Sequence, residues 1–278
     1  MTLLIQLGIG VVLSALIAFV AYRRGSLSTS GAAGAMIVGT AIFGFGGWVW
    51  GLTLITFFVL STLLSHYKEG DKEALAEKFA KGHRRDLGQA LANGGVGALI
   101  ALIYWFIPHP ALWAAFVGAL ATVNADTWAT ELGVLSANPP RLITTGRIVE
   151  RGASGGVSLT GTLAALAGAL TIGLAGWALG GVDELAGGAG LLIAPLVLVL
   201  IASVGGVAGS FVDSLLGATV QAIYYCPSCR KETEKTLHTC GTATNPMRGW
   251  RWLGNDWVNL ISSAAGALIA TAVALALG

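Results

Sequence analysis

Charged residues are scarce in this chain. Only 11% of its 278 residues are Asp, Glu, Lys or Arg, whereas 55% are apolar, and the mean hydropathy is +0.75. Soluble globular proteins carry about 25% charged residues, so the composition excludes a soluble fold, and its apolar content excludes intrinsic disorder. The chain has 40 glycines but only seven prolines, and it has no Gly-X-Y repeat. A collagen-like protein is therefore excluded. Glycine in so apolar a chain is typical of closely packed transmembrane helices.

Apolar runs that can cross a membrane occur eight times, since a spanning helix needs about 20 mostly apolar residues. They cover 3–22, 31–48, 52–67, 87–107, 111–135, 155–179, 190–223 and 254–277. The seventh run could hold a helix plus a re-entrant piece, but we interpret it as one crossing, tilted or broken near Gly205 and Gly206. The sequence therefore predicts an all-α integral membrane protein, a single bundle of about eight helices over 1–278.

The basic residues predict the orientation of this bundle. All 16 Lys and Arg lie in the four odd-numbered loops, and the three even-numbered loops contain none. Cytoplasmic loops carry the Lys and Arg excess, so we expect both termini outside and four basic loops in the cytoplasm of a prokaryote, under its plasma membrane. No Lys or Arg precedes the first span, which argues against a signal peptide. We interpret residues 68–86 as a charged cytoplasmic connector or an amphipathic helix.

Four acidic residues lie inside the apolar runs, all in the predicted cytoplasmic halves. Ionisable residues are costly there and mark functional sites, and magnesium is normally held by one or two carboxylates plus substrate phosphates. Hydrogen bonding between helices is the alternative role. The four predicted Mg²⁺ ligands are Asp126, Glu131, Asp213 and Asp256. The neighbours expected to orient them or to contact phosphate are Asn124, Thr127, Asn255 and Asn259.

A glycine-rich stretch precedes the sixth span. Backbone N–H groups at such a helix start attract anions, and arginine binds phosphate as a bidentate fork. The Gly-Lys-Ser/Thr ending of a Walker loop is absent, and no preceding strand is expected, as a Rossmann fingerprint would require. A flexible cap is the alternative. The candidate phosphate-binding residues are Arg147, Arg151, Gly152, Ser154, Gly155, Gly156 and Ser158.

A second candidate anion contact lies at the start of the fourth span. Three of its residues recur at a spacing of four and so share one helix face. Flanking positive charge that merely follows the positive-inside rule is an equally good explanation. The residues are Arg84, Arg85, Gln89 and Asn93.

All three cysteines lie in the loop at 222–253. Cys226 and Cys229 form a Cys-x-x-Cys pair, and His238 and Cys240 follow. Four such ligands suffice for a closed, structural Zn²⁺ site. Thiols stay reduced in the cytoplasm, which argues against a disulfide. Free or redox-active thiols are the alternative to zinc binding. A His-x-Glu signature is absent, and we do not expect catalytic zinc.

Several ordered motifs resemble one membrane protein family. They are Arg-x-x-x-Gln-x-x-x-Asn at 85–93, Asn-Ala-Asp-Thr-Trp-Ala-Thr-Glu at 124–131, Gly-x-x-Gly-Gly-Val-Ser at 152–158, Gly-Ser-x-x-Asp-Ser at 209–214 and Asn-Asp-x-x-Asn at 255–259. The chain resembles the family that includes the plant phytyl-phosphate kinase and many uncharacterised bacterial and archaeal proteins. The Cys/His cluster departs from the pattern of that family.

The resemblance implies phosphoryl transfer from ATP or CTP to a long-chain isoprenoid monophosphate, giving the diphosphate. The lipid tail would lie between helices, in a groove left by small residues such as Gly31, Gly34 and Gly39. A CTP-dependent isoprenoid-alcohol kinase or a lipid cytidylyltransferase is the alternative enzyme. A transporter for a cation or an anionic lipid is the alternative of another class, although transporters place polar residues at mid-membrane. We expect no nucleic-acid partner. A homo-oligomer is kept as an alternative to a monomer.

Overall fold

The computed structural model describes residues 3–67, 84–187 and 193–277. Within these ranges the chain forms eight α-helices, so the predicted helical bundle is confirmed. The helices are α1 (Leu3–Arg23), α2 (Thr29–Ala41), α3 (Trp48–His66), α4 (Leu87–Phe106), α5 (Pro110–Gly133), α6 (Leu159–Leu185), α7 (Pro195–Thr219) and α8 (Asn255–Leu277). The predicted charged connector at 68–86 lies outside the described residues, apart from 84–86.

Seven of the helices are long and apolar enough to cross a membrane, the second including the π-helical continuation of α2 at Ile42–Gly46. The exception is α5, which lies at the centre of the bundle against α6, α7 and α8. Residues 113–125 of α5 are all buried. A helix enclosed by other helices does not face lipid, so it tolerates polar residues such as Asn124 and Asp126 that lower its mean hydropathy.

Small residues let the central helices approach closely. Thr122 on α5 donates its hydroxyl to the carbonyl of Gly118 at 2.9 Å and to that of Gly205 on α7 at 3.2 Å. Of the two alternatives for the seventh run, the break near Gly205 and Gly206 is wrong, because α7 runs unbroken through both, and Gly206 packs against Ala121. Glycine here serves close helix packing. The seventh run is one crossing, as predicted.

The groove expected along Gly31, Gly34 and Gly39 is found only in part. A Cβ at Gly31 would overlap the backbone of Arg85, and one at Gly39 would overlap the side chain of Ser14. Close packing at these glycines brings α2 into direct contact with its neighbours, but Gly39 also lines a small apolar cavity between α1 and α4.

Two short sheets lie at the end of the bundle that carries the basic loops. Strands β1 (Arg141–Leu142) and β2 (Gly156–Val157) pair antiparallel, so a strand does precede α6, contrary to expectation. Because 156–157 are extended, α6 begins only at Leu159, where the hydroxyl of Ser158 caps the amide of Gly161 at 3.1 Å. The second sheet has the order β4-β3-β5, formed by β3 (Ile223–Cys226), β4 (Lys231–Thr233) and β5 (Asn245–Arg248).

Candidate functional site

A cavity of about 850 Å³ lies at the basic end of the bundle, between the ends of α3 to α8 and both sheets. Most of the residues predicted from sequence line its wall. They are Arg85, Gln89, Asn93, Asp126, Thr127, Glu131, Arg151, Gly152, Ser154, Gly155, Gly156, Ser158, Asp213, Asn255, Asp256 and Asn259. Segments far apart in sequence thus contribute carboxylates, arginines and a glycine-rich loop to one space.

The four acidic residues are distributed along this cavity. Asp126 on α5 and Asp213 on α7 are close enough to interact electrostatically, and Asp213 accepts a hydrogen bond from the hydroxyl of Ser262 at 3.1 Å. Within the described residues, the four do not form a group in which three or more ligand atoms converge. Such spacing suits a magnesium ion that takes one or two carboxylates and completes its shell with phosphate oxygens and water.

Asn259 offers a further oxygen in the same wall. Its Nδ2 donates to Asn93 Oδ1 at 3.4 Å, whereas its own Oδ1 is buried and has no hydrogen-bond partner among the described residues. Buried polar atoms are nearly always satisfied. The oxygen-rich donor set and this unsatisfied amide oxygen therefore fit a hard cation bound in the cavity.

Arg85 is held in place just before α4. Its backbone amide donates to the carbonyl of Ser26 at 3.0 Å, and its Nη1 donates to Thr62 Oγ1 at 2.9 Å. The guanidinium also lies 5.6 Å from the ring centre of Phe58. Burial lowers the pKa of Arg85, while the nearby carboxylate of Glu131 acts in the opposite direction. Arginine stays charged despite such a shift, so a fixed cation faces the cavity.

The glycine-rich loop is fixed against the end of α7. Gly155 has a φ of +82°, and a Cβ at this position would overlap the backbone of Ala218. Ser154 donates its hydroxyl to Gln221 Oε1 at 2.6 Å, and its carbonyl accepts from Arg248 Nη2 at 3.2 Å. The loop therefore has a defined shape before any ligand binds, which favours recognition of an anion by its backbone.

A smaller, apolar cavity of about 80 Å³ adjoins the polar one. Apolar side chains of α1 to α4, including Val38 and Phe57, form its wall. Arg85, Gln89 and Asn93 line both cavities. A charged head group at Arg85 could therefore continue directly into an apolar chain between these helices.

The fold brings the four Cys and His residues together beside the three-stranded sheet. One ligand atom from each of Cys226, Cys229, His238 and Cys240 lies within 4.8 Å of the others. Hydrogen bonding with Thr242 and His238 lowers the pKa of Cys240 to about 6, whereas hydrogen bonding with Cys240 raises that of Cys229 to about 11. Closely spaced thiols share protons in this way.

The sequence profile of the integral membrane protein family DUF92 matches residues 12–267, a range that includes every cavity residue named above. The chain belongs to the DUF92 family. The resemblance inferred from the motifs is thereby confirmed.

Relatives of this DUF92 protein occur in plants and archaea. It is 33% identical to Protein PGR of Arabidopsis thaliana over 266 residues, which cover 91% of this chain and 90% of PGR. It is 34% identical to the uncharacterized membrane protein MJ0933 of Methanocaldococcus jannaschii, over 78% of this chain and 84% of the relative. It is also 26% identical to the chloroplastic Protein VTE6 of Arabidopsis thaliana, over 88% of this chain and 64% of VTE6. No solved structure gives a significant match.

Of the residues predicted to bind magnesium, phosphate or nucleotide in this DUF92 chain, three do not line the cavity. Asn124 is fully buried, where it accepts from Ser61 at 3.2 Å and donates to the carbonyl of Gly168 at 2.8 Å. It joins α3, α5 and α6, which is the helix-bonding role that was the alternative. Arg84 and Arg147 have exposed side chains outside the cavity wall.

Other cavity residues were missed from the sequence. Ser210 and Ser214 flank Asp213 on α7, and their helical spacing could have indicated them. Glu234 and Lys235 reach the cavity only because the three-stranded sheet folds back over it, which no local pattern signals. The missed polar and aromatic residues are Ser65, Thr130, Thr162, Ser210, Phe211, Ser214, Tyr224, Glu234, Lys235, Thr236, Arg251, Trp252 and Trp257.

Proposed function

We propose that this DUF92 protein is a Mg²⁺-dependent phosphotransferase that moves the terminal phosphoryl group of a nucleoside triphosphate to a long-chain isoprenoid monophosphate. The observation that carries the proposal is the junction of two cavities, one polar with carboxylates and a glycine-rich loop, the other apolar, joined at Arg85. The relationship to VTE6, of the phytyl-phosphate kinase family, supports this reaction class. The excess of Lys and Arg at the cavity end predicts that it faces the cytoplasm, where nucleotides are available.

The nucleotide would bind at the glycine-rich side of the polar cavity. The backbone of residues 152–158 would hold its phosphates, with Arg151 beside them. Asp126 and Asp213 would hold Mg²⁺, and the Oδ1 of Asn259 would supply a further oxygen. The bound ion would neutralise charge on the transferred phosphoryl group. These residues position the two reacting phosphates and need no strong base, because the acceptor is already an anion.

The acceptor phosphate would bind at Arg85, with its first isoprene units in the apolar cavity. This places the acceptor between the membrane-embedded helices and the donor between the loops. The arrangement fits a substrate that enters from the lipid phase and a second substrate that enters from water.

The reaction class is tested with purified protein in Mg²⁺ and labelled ATP or CTP, against isoprenoid monophosphates and alcohols. We expect label in an isoprenoid diphosphate. A labelled monophosphate formed from an alcohol would favour the alcohol kinase, and a nucleotidyl lipid would favour the cytidylyltransferase. Absence of label from every lipid would overturn the proposal and favour a transporter.

Replacing Arg85 with lysine should weaken acceptor binding selectively. Lysine keeps the charge but loses the bidentate fork and the contact with Thr62. We expect the KM for the isoprenoid monophosphate to rise about 10- to 100-fold, the range for one charged hydrogen bond, with the KM for nucleotide unchanged. The matched control is Arg84→Lys, next in sequence but outside the cavity wall. Equal effects of the two substitutions would contradict the role of Arg85.

Filling the apolar cavity should discriminate between acceptors by chain length. Ala35 lines this cavity, whereas Ala33 on the same helix is exposed outside it. Ala35→Phe is expected to reduce turnover of long-chain monophosphates at least about tenfold, because the ring takes the space of the chain, and to spare methyl phosphate, whose single carbon does not reach into the cavity. Ala33→Phe should leave both unchanged. Equal loss for both chain lengths in Ala35→Phe would place the lipid tail elsewhere.

A further inference from the structure

We propose that the Cys/His cluster is a structural Zn²⁺ site that fixes the shape of the glycine-rich loop at the polar cavity. This inference goes beyond the proposed reaction, because it concerns metal content and loop order and holds whatever the protein transfers. Ser154 in the glycine-rich loop and Cys226 in the cluster are about 70 residues apart in sequence, and the fold brings these two parts of the chain together.

The spacing of the cluster matches tetrahedral zinc. At Zn–S distances of about 2.3 Å, two sulfurs of a tetrahedron lie about 3.8 Å apart. The Sγ atoms of Cys226 and Cys240 are 3.7 Å apart, and His238 Nδ1 is 3.2 Å from Cys240 Sγ. Three thiolates and one imidazole form a closed set with no position for a substrate, which is the composition of a structural site.

Two tight turns present these ligands. In the first, the backbone amide of Cys229 points at Cys226 Sγ at 3.5 Å, and Arg230 has a φ of +54°, the one positive φ of a non-glycine residue within the described ranges. In the second, Gly241 has a φ of +82°, and its amide donates to the carbonyl of His238 at 2.9 Å. A left-handed non-glycine residue is strained, and metal binding would compensate for that strain.

The imidazole that completes the ligand set is buried. His238 is only 3% exposed, and its Nδ1 faces Cys240 Sγ at 3.2 Å. This nitrogen is therefore the one in position to bind the metal together with the three sulfurs. An imidazole nitrogen beside three thiols is a common ligand set of structural zinc.

The sheet that holds the cluster is hydrogen-bonded to the glycine-rich loop. Gln221, two residues before β3, is 1% exposed; its Oε1 accepts from Ser154 at 2.6 Å and its Nε2 donates to Glu234 at 2.8 Å. Arg248 at the end of β5 donates to the carbonyl of Ser154 at 3.2 Å and to that of Gly217 at 2.6 Å. Loss of zinc would loosen the strands that position Gln221 and Arg248, and so release Ser154.

Metal analysis of the purified full-length protein tests the site. We expect about one zinc per chain, the content of a closed four-ligand site, and loss of that zinc in Cys226→Ser and Cys240→Ser. Cys240 is exposed, so its substitution leaves the apolar packing intact if Cys226→Ser fails to fold. Ser228→Ala, in the same turn but not a ligand, is the matched control and should retain zinc. Absence of zinc, another metal in its place or a disulfide in the purified protein would overturn the proposal.

Hydrogen exchange tests the link to the loop without any assay of turnover. After zinc removal with a zinc-selective chelator in excess Mg²⁺, we expect backbone amides in 152–158 to exchange at least about tenfold faster, while a peptide covering Gly47 and Trp48, at the opposite end of the bundle, is unchanged. Unchanged exchange in 152–158 after zinc loss would overturn the coupling. Because this readout needs no substrate, its failure is distinguishable from failure of the proposed reaction.

Discussion

Replacing Asp126 with asparagine is expected to reduce phosphoryl transfer at least about 10³-fold, the size of effect seen when a preorganised electrostatic contact is removed. Asparagine has nearly the same shape, so the change is essentially the loss of one negative charge beside Asp213. Without that charge the cavity binds Mg²⁺ weakly and cannot neutralise the phosphoryl group in transfer.

Thermal stability separates this effect from misfolding. Two neighbouring carboxylates repel each other, so Asp126→Asn should melt at the same temperature as the wild type, or higher, when Mg²⁺ is absent. Mg²⁺ should raise the Tm of the wild type but not of the variant, since only ligands that bind the folded state stabilise it. The control is Asp183→Asn at the opposite end of the bundle, where Asp183 accepts from Trp48 Nε1 at 2.8 Å. Near-normal turnover in Asp126→Asn would remove this residue from the metal site.

Replacing Gly155 with alanine is expected to raise the KM for nucleotide at least about tenfold, equivalent to 1.4 kcal/mol of binding. Its φ of +82° disfavours any side chain, and the added Cβ would overlap the backbone of Ala218. The backbones of Gly155 and Ala218 cannot rotate away as a side chain would. The loop must therefore shift away from the end of α7. The amides of 152–158 then no longer converge on the phosphates.

Gly146 provides the matched control for this prediction. It also has a positive φ, +67°, but a Cβ there would meet nothing within 4 Å. Gly146→Ala thus shares the left-handed strain of about 1–2 kcal/mol without the overlap. We expect both variants to lower the Tm, and only Gly155→Ala to change the KM for nucleotide. A similar KM for nucleotide in Gly155→Ala and Gly146→Ala would show that the shape of the loop does not govern nucleotide binding.

Much of the candidate site was predictable because charge inside an apolar run is conspicuous. Asp126, Asp213 and Asp256 stand out for that reason, and the fold brings all three to one cavity. Asn124 shows the limit of this argument. It is as unusual in an apolar run as Asp126, two residues later, yet it bonds Ser61 and Gly168 instead of lining the cavity. A rotation of about 200° around the helix axis separates their directions, and packing decides which one faces the cavity.

The sequence by itself determined the class of the protein, its eight helices and the end of the bundle at which basic and acidic residues gather. Those features depend on the free energy of transferring each residue from water to lipid and on the nearly constant thickness of the bilayer. Only the tertiary structure decided that α5 is enclosed, that the apolar cavity lies beside Arg85 and that Gln221 joins Ser154 to Glu234, next to the three-stranded sheet. These features depend on how closely the glycine-containing helices approach one another and on how each helix is rotated about its axis. Contacts between residues distant in sequence determine both.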